Sequence, residues 1–502
     1  MKEKAVFLIR SPYWQIAETL KQRYGWEIFG FSVHPMWMLP NYMREFCSGY
    51  LDLHSVVEKA KTSPVPDDII AKSKYLEEKY NLNLADIISP DRHLGIGWVT
   101  GGLYHPGRLS FMPYEKHLHI IFDVFQSVSD FLQQVNPTFV SPGIVGGFEG
   151  AIVYSVCHKN QIPIYSLNLL SYGSYYYWQQ ERFGHIPYLE EIYNKSKSAS
   201  SQINDSEIDD IAPFTRSIIP EMERKGTYYD LIKKLSRTFY KHARIKIAKS
   251  KQSGEVYLST QLKYSIDNFL NFRKEMRRKY LPESELSKLD YIYLPLHYEP
   301  EASLNAVEPY FANQMYAVEL LSRSVPAGVY VLVKEHPGAI GNRPSYWMDT
   351  IAGFPRVKLI HPFVNSIKII KKSMATATIT GTPGLEAAIL GKPVISLGPC
   401  YRFNFVDHVY FANDLISLRK LIKWIDEEKD SLDFTKNGAI LKRAIEMTCF
   451  KIDKYFFVTE PSDSDIELAC SELLKLLNEE GSNYSTTKTL SHEEELTQAE
   501  IV

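Results

Sequence analysis

VYVLVKEHP (329–337) and ATATITGTPGLEA (375–387) each carry an apolar, β-branched run that gives way at once to a cationic or glycine-rich loop. Apolar runs of this length bounded by turn residues read as strands buried on both faces. Their neighbours repeat the pattern. Strands are expected at Tyr291–Leu296, Val329–Lys334, Val357–Ile360, Ala375–Ile379 and Pro393–Leu397, with helices at Pro309–Ser322, Asn365–Ser373 and Pro383–Leu390. Alternation of this kind builds a parallel sheet whose loops gather at the carboxyl edge, where α/β proteins hold nucleotide phosphates.

The chemistry-bearing residues lie in three such loops. In Thr380-Gly381-Thr382-Pro383-Gly384, Thr382 suits a helix N-cap and Pro383 the first helical position, and the glycines admit close approach to the main chain. An anion would then meet the positive end of the helix dipole. An ordinary capped helix reads the same way. Glu386, placed in the first turn, is a candidate for ribose hydroxyls. His336, fixed by Pro337, with Lys334 before it and Arg343 after it, can donate to phosphate oxygens, although a lone His more often makes a structural hydrogen bond. The third loop brings His297, Glu299, Glu301 and Ser303 to the same edge.

The N-terminal half carries a second α/β pattern, with strand Ala5–Ile9, strand Phe139–Ser141, helix Gly150–His158 and strand Ile162–Ser166. Glu149, in Gly146-Gly147-Phe148-Glu149-Gly150, is a candidate general base or simply an acid favoured at a helix start. Asp91 and Arg92 form another candidate pair, for which an exposed salt bridge is the plainer reading. The run Tyr172, Tyr175, Tyr176, Tyr177 and Trp178 suits a core better than a sugar platform. Asp463-Ser464-Asp465 reads as a helix cap rather than a metal-binding pair, and no metal or cofactor is expected.

The chain has 502 residues, enough for two domains, with 57 Lys and Arg against 59 Asp and Glu. That balance gives no case for nucleic acid. Charge is nonetheless uneven: between Lys233 and Lys279 stand 14 basic and three acidic residues, in a stretch of helical periodicity from about Met222 to Tyr280. Anionic lipid or a polyanionic acceptor would suit it; a solvated helical face is the bland alternative. Five dispersed cysteines without CxxC spacing fit a reducing cytosol, and neither a signal peptide nor an apolar run of about 18 residues is seen. The expected location is cytoplasmic, at most peripheral at the inner membrane face.

Three motifs, Pro295-Leu296-His297-Tyr298-Glu299-Pro300-Glu301-Ala302, Lys334-Glu335-His336-Pro337 and Thr380-Gly381-Thr382-Pro383-Gly384-Leu385-Glu386-Ala387, resemble those of bacterial capsule and surface-polysaccharide biosynthesis proteins, which are similar to GT-B glycosyltransferases. The resemblance is concentrated between Tyr291 and Tyr401 and weaker at Tyr80–Leu84 with Asp91 and Arg92. It implies two Rossmann-like domains facing a cleft: residues 1–194 on the acceptor side, 195–285 as loop and basic helical linker, 286–478 binding nucleotide-sugar with trailing helices, and 479–502 a polar tail expected to be disordered. It further implies a glycosyltransferase, and with no clustered His or Cys and no paired carboxylates elsewhere a metal-independent reaction is expected. Its donor would be a CMP-, UDP- or GDP-linked sugar and its acceptor a glycan or lipid-linked glycan. The resemblance carries over His336 and the loop of Thr380, Gly381, Thr382 and Gly384 as donor-binding residues; His297, Ser303, Lys334, Arg343 and Glu386, from their place at the same edge, are the further donor-binding candidates. His336, Glu149 and Glu301 would be the catalytic candidates, and Asp91, Arg92 and Glu149 the acceptor-side ones. A nucleotide-sugar 2-epimerase, a CDP-polyol phosphotransferase and a non-catalytic capsule assembly or export subunit are the rival readings.

Overall fold

The computed structural model describes residues 3–33, 45–88, 90–91, 94, 113–143, 147–170, 172–183, 185–198, 226–247, 258–298, 302–452 and 461–483. The first sheet contains β1 (Lys4–Leu8), β2 (Glu27–Ser32), β3 (Gly49–Asp52) and β4 (Phe139–Ser141), all parallel, in the order β3-β2-β1-β4. Ile164 extends it by a parallel bridge to Val140. Strand alternation divides β1 between two cores: Val6 and Leu8 pack into one, Ala5 and Phe7 into the other. A strand buried on both faces needs the near-continuous apolar sequence that β1 has.

The third sheet, crossed next by the chain, is antiparallel: β5 (Ser166–Leu169) pairs with β6 (Tyr175–Gln179), and β6 with β13 (Phe450–Lys451). Here the aromatic run finds its place. Tyr176 and Trp178 face the core of the first domain, while Tyr177 faces a core shared with the second. The Trp178 indole N–H donates to the Ala469 carbonyl at 3.0 Å. The core reading of these aromatics is therefore the structural one, and Ile162–Ser166 is corrected from a full parallel strand to one bridge followed by β5.

The second domain holds β7 (Asp290–Pro295), β8 (Val329–Lys334), β9 (Val357–Ile360), β10 (Ala375–Thr378), β11 (Val394–Ser396) and β12 (Val409–Phe411). All are parallel, in the order β12-β11-β10-β7-β8-β9. The chain lays three strands outward from β7, returns, and lays three more on its other side, which is the doubly wound Rossmann order. Both faces are covered: Ile292, Leu294, Val331 and Val333 pack into one core, Tyr291, Tyr293 and Leu332 into the other.

Two boundaries differ from the sequence reading. The helix Asp463–Asn483 packs on the first domain, with Ile466, Ala469, Cys470 and Leu473 in the core that holds Phe7 and Tyr13. Its apolar stripe matches the side of the first helix, Tyr13–Tyr24, so the trailing segment returns to the domain where the chain began. It also runs five residues into the stretch read as a tail; residues 484–502 lie outside those described.

Candidate functional site

The reversal of strand order between β7 and β10 sends their following segments to opposite faces at the carboxyl edge, the place where open α/β sheets bind ligands. The loops that leave these two strands touch. The Thr380 N–H donates to Nε2 of His297 at 3.4 Å, and the Gly381 N–H to Oγ1 of Thr378 at 2.9 Å. His297 is held on its other sides by Gln314, whose Oε1 accepts the His297 N–H at 2.7 Å, and by Arg343, which donates to its carbonyl at 2.9 Å. Burial lowers the His297 pKa to about 3, with His336 and Arg343 adding to the effect. A neutral ring accepting at Nε2 carries its proton on Nδ1.

The loop after β8 is built around His336, whose Nδ1 accepts the Gly338 N–H at 3.1 Å and so caps the turn Pro337–Ala339. This assigns the ring proton to Nε2. Tyr298 meets the ring edge to face at 5.6 Å. Behind the loop, Arg343 is buried against Glu335 at 2.6 Å and lies over the Trp347 ring at 4.0 Å.

Lys334 and Arg343 are thus corrected from ligand-facing cations to internal ones. Strand alternation puts Lys334 on the Leu332 side of β8, under the covering helices, where Nζ donates to the Val364 carbonyl at 2.8 Å and to Ser366 Oγ at 2.7 Å. The glycine loop is corrected by one residue: Gly381 is the N-cap, and Thr382 opens the helix Thr382–Ile389. Gly384 serves packing, since a Cβ there would lie 2.5 Å from the Tyr401 hydroxyl and 2.6 Å from Thr378 Cγ2.

Glu386 lies beyond the first turn, not within it, and is buried with Oε2 accepting no hydrogen bond among the described residues. Burial pushes its carboxyl up to about 7, opposed by Lys334, whose own pKa burial lowers to about 8. An unsatisfied buried acceptor costs about 1–3 kcal/mol. Sequence reasoning missed Glu308. Its Oε1 accepts the Cys400 N–H at 2.6 Å, tying the loop after β11 to the segment after β7, and burial raises its pKa to about 7. No motif or spacing marked it.

In the first domain the corresponding candidates lie between β4 and the helix Phe148–Lys159. Asp91 Oδ2 accepts the Phe148 N–H at 2.8 Å and Oδ1 the Leu94 N–H at 2.9 Å, so Asp91 caps the helix Phe148–Lys159 from a distant part of the chain. Glu149 sits in that first turn. Burial and then the Asp91 charge raise its pKa to about 8, against the pull of Lys61. Arg92 and Glu301, like Glu299, lie outside the described residues, and Ser303 falls in the short helix Ala302–Asn305. Of the remaining candidates, His297, His336, Thr380, Gly381, Thr382, Gly384 and Glu386 converge on the edge of the second sheet, whereas Asp91 and Glu149 pair in the first domain.

Residues 224–405 match the family model of the capsule polysaccharide biosynthesis protein. The match takes in the two basic helices and β7 to β11, and with them the His297, His336 and Thr380 loops. Protein FixF of Sinorhizobium fredii is 25% identical over 187 residues, covering 32% of this chain and 44% of FixF, so the chain spans less than half of that relative. Among solved structures, KpsC of Thermosulfurimonas dismutans, a β Kdo 2,7 transferase, is 15% identical over 70% of this chain and 89% of its own, with a TM-score of 0.31. The UDP-GlcNAc 2-epimerase of Neisseria meningitidis, bound to UDP-GlcNAc, is 14% identical over 89% of this chain and 99% of its own, with a TM-score of 0.24.

Proposed function

We propose that the chain is a glycosyltransferase of capsular or surface polysaccharide synthesis, taking a nucleotide-sugar in the second domain and a glycan acceptor beside the first. The observation that carries this is the gathering of the His297, His336 and Thr380 loops at one switch point with the Glu386 carboxylate, whose Oε2 accepts no hydrogen bond among the described residues. The N-terminus of the helix Thr382–Ile389 receives phosphate oxygens, and His336 Nε2–H donates to the leaving group. Glu386 accepts from ribose hydroxyls. His297, neutral and fixed, sets the spacing between the loops instead of supplying charge. Glu149 takes the acceptor proton as the new bond to the anomeric carbon forms and the bond to phosphate breaks. Lys334 and Arg343 support the loops from within.

Thermal unfolding with CMP, UDP, GDP and CDP tests the binding half. One nucleotide should stabilise the protein, by about 2.7 kcal/mol at a hundredfold excess over its Kd, and His336→Ala should abolish that gain. Stabilisation by none of the four removes the reading. Sugar transfer by His336→Ala or Thr382→Ala at the wild-type rate would remove it too, and epimerised nucleotide-sugar formed without acceptor would replace it with the epimerase reading.

A further inference from the structure

The helices Tyr228–Ile247 and Leu258–Met276 pack together and present an outer face that no other described residue covers. Leu231, Leu235 and Thr238 of the first helix are half-buried. On its opposite side Tyr229, Ile232 and Tyr240 recur at helical spacing and are 75%, 63% and 66% exposed, with Phe239 at 52% beside them. Lys233 and Arg237, four residues apart, run along one edge of this stripe. Asp230, the helix's one acidic residue, is paired with Lys234 at 2.7 Å, which leaves Lys233 and Arg237 without an acidic partner among the described residues. A groove of about 690 Å³ opens beside Tyr228, lined by Leu270, Arg273, Arg277 and Lys279, together with Asp349, which is paired with Lys274 and Arg278.

We infer that this helix pair docks on an anionic phospholipid surface, the stripe entering the headgroup boundary and the cations meeting the phosphates. Exposed tyrosines with an apolar body and a polar tip, interleaved with aliphatic and basic side chains, are the composition of an interfacial helix. The charge selects the occupant. A second copy of this chain would oppose basic helix to basic helix, and a soluble polyanion would engage Lys233 and Arg237 while gaining nothing from Ile232 and Phe239. A bilayer with acidic lipid satisfies both sets.

The docking face is tied to the donor crevice. Asn268 donates to Asn342 Oδ1 at 2.7 Å and Asn271 to the Arg343 carbonyl at 3.0 Å. Gly341, at φ +83°, lies so close that a Cβ there would stand 2.6 Å from the Asn268 carbonyl oxygen. Only glycine suits both the backbone angle and the approach. Docking therefore sets the His336 loop at a fixed height above the lipid. The inference rests on the surface alone and stands whether or not the chain transfers sugars.

Sedimentation of the full chain with vesicles tests it. The protein should pellet with mixed phosphatidylcholine and phosphatidylglycerol but not with phosphatidylcholine alone, and less so as salt rises. Lys233→Ser with Arg237→Ser should weaken partitioning about thirty-fold, roughly fivefold per cation. Ile232→Ser with Phe239→Ser should weaken it about tenfold or more. Circular dichroism melting establishes that both doubles fold, as substitutions at exposed positions should. An Ile232→Trp variant gives a second readout, a blue shift of its emission on the mixed vesicles. Failure of the wild type to pellet overturns the inference. So does an Ile232 and Phe239 double that partitions like the wild type, or binding of dextran sulfate without binding of vesicles, either of which would make the face a site for soluble polyanions.

Discussion

Arg343 places Nε 2.6 Å from Oε2 of Glu335 and reaches past it to the His297 carbonyl, so one buried guanidinium joins the loops that follow β7 and β8. Burial raises the Glu335 pKa and Arg343 opposes it. Removing one partner of a buried pair strands the other, at about 3–5 kcal/mol. Arg343→Ala should lose stability on that scale in urea. Arg343→Ala with Glu335→Gln should be more stable than Arg343→Ala alone, because no buried charge is left unmatched. A double variant no better than the single one would mean that the guanidinium's packing on Trp347 carries the whole effect.

Glu386 should imprint a pH dependence on stability. Its folded pKa is raised from 4.5 to about 7, so the folded state binds that proton more tightly than the unfolded chain does. The favourable contribution is complete below pH 4.5 and is lost as pH rises through 7. Glu386→Gln has no proton to lose and should therefore gain on the wild type across that window, by on the order of 1–3 kcal/mol. Nucleotide affinity should fall in the same variant if the carboxylate meets ribose. Parallel stability curves for the two proteins between pH 4.5 and 7 would refute the assignment.

Gly384 and Tyr401 form a steric pair. Gly384→Ala drives a methyl into the Tyr401 hydroxyl and should cost about 1–3 kcal/mol. Tyr401→Phe removes a buried hydroxyl that has no partner among the described residues, and should be neutral or slightly stabilising. The double should recover part of the alanine's cost, with a coupling of at least about 0.5 kcal/mol in a double-mutant cycle by chemical denaturation. Strict additivity would show that Thr378 Cγ2, also in the way, decides alone.

What the sequence made legible follows from burial. β8, β9 and β4 lie where their apolar runs lie, because strands covered by packing are built mostly of apolar residues; Lys334, Lys358 and Ser141 are the polar members. β2 and β3 were harder to see: Glu27–Ser32 interrupts its run with Gly30, and Gly49–Asp52 is four half-buried residues at the sheet edge. At the site, loop positions were readable from motif and strand end. Side-chain direction was not, since it depends on what covers each face of β8, and the acceptors at Val364 and Ser366 drew Lys334 inward. Glu308 and the capping of Phe148 by Asp91 arise from contacts 92 and 57 residues apart, beyond the reach of any local pattern.

The Asp91 and Glu149 pair separates a base from a mere helix-start acid. Asp91 already accepts the Phe148 N–H, so Glu149 adds a second negative charge to one helix terminus; burial first, and then the Asp91 charge, raise its pKa to about 8. A base protonated at neutral pH becomes active as pH rises. Transfer should therefore climb with pH toward a plateau above about 8, and Asp91→Asn, which keeps an oxygen for the Phe148 N–H but removes the neighbouring charge, should move that midpoint down. Glu149→Gln should lose about 10²–10⁴-fold in rate with nucleotide affinity unchanged. A structural acid behaves otherwise: both substitutions would alter melting temperature and leave the shape of the pH profile as it was.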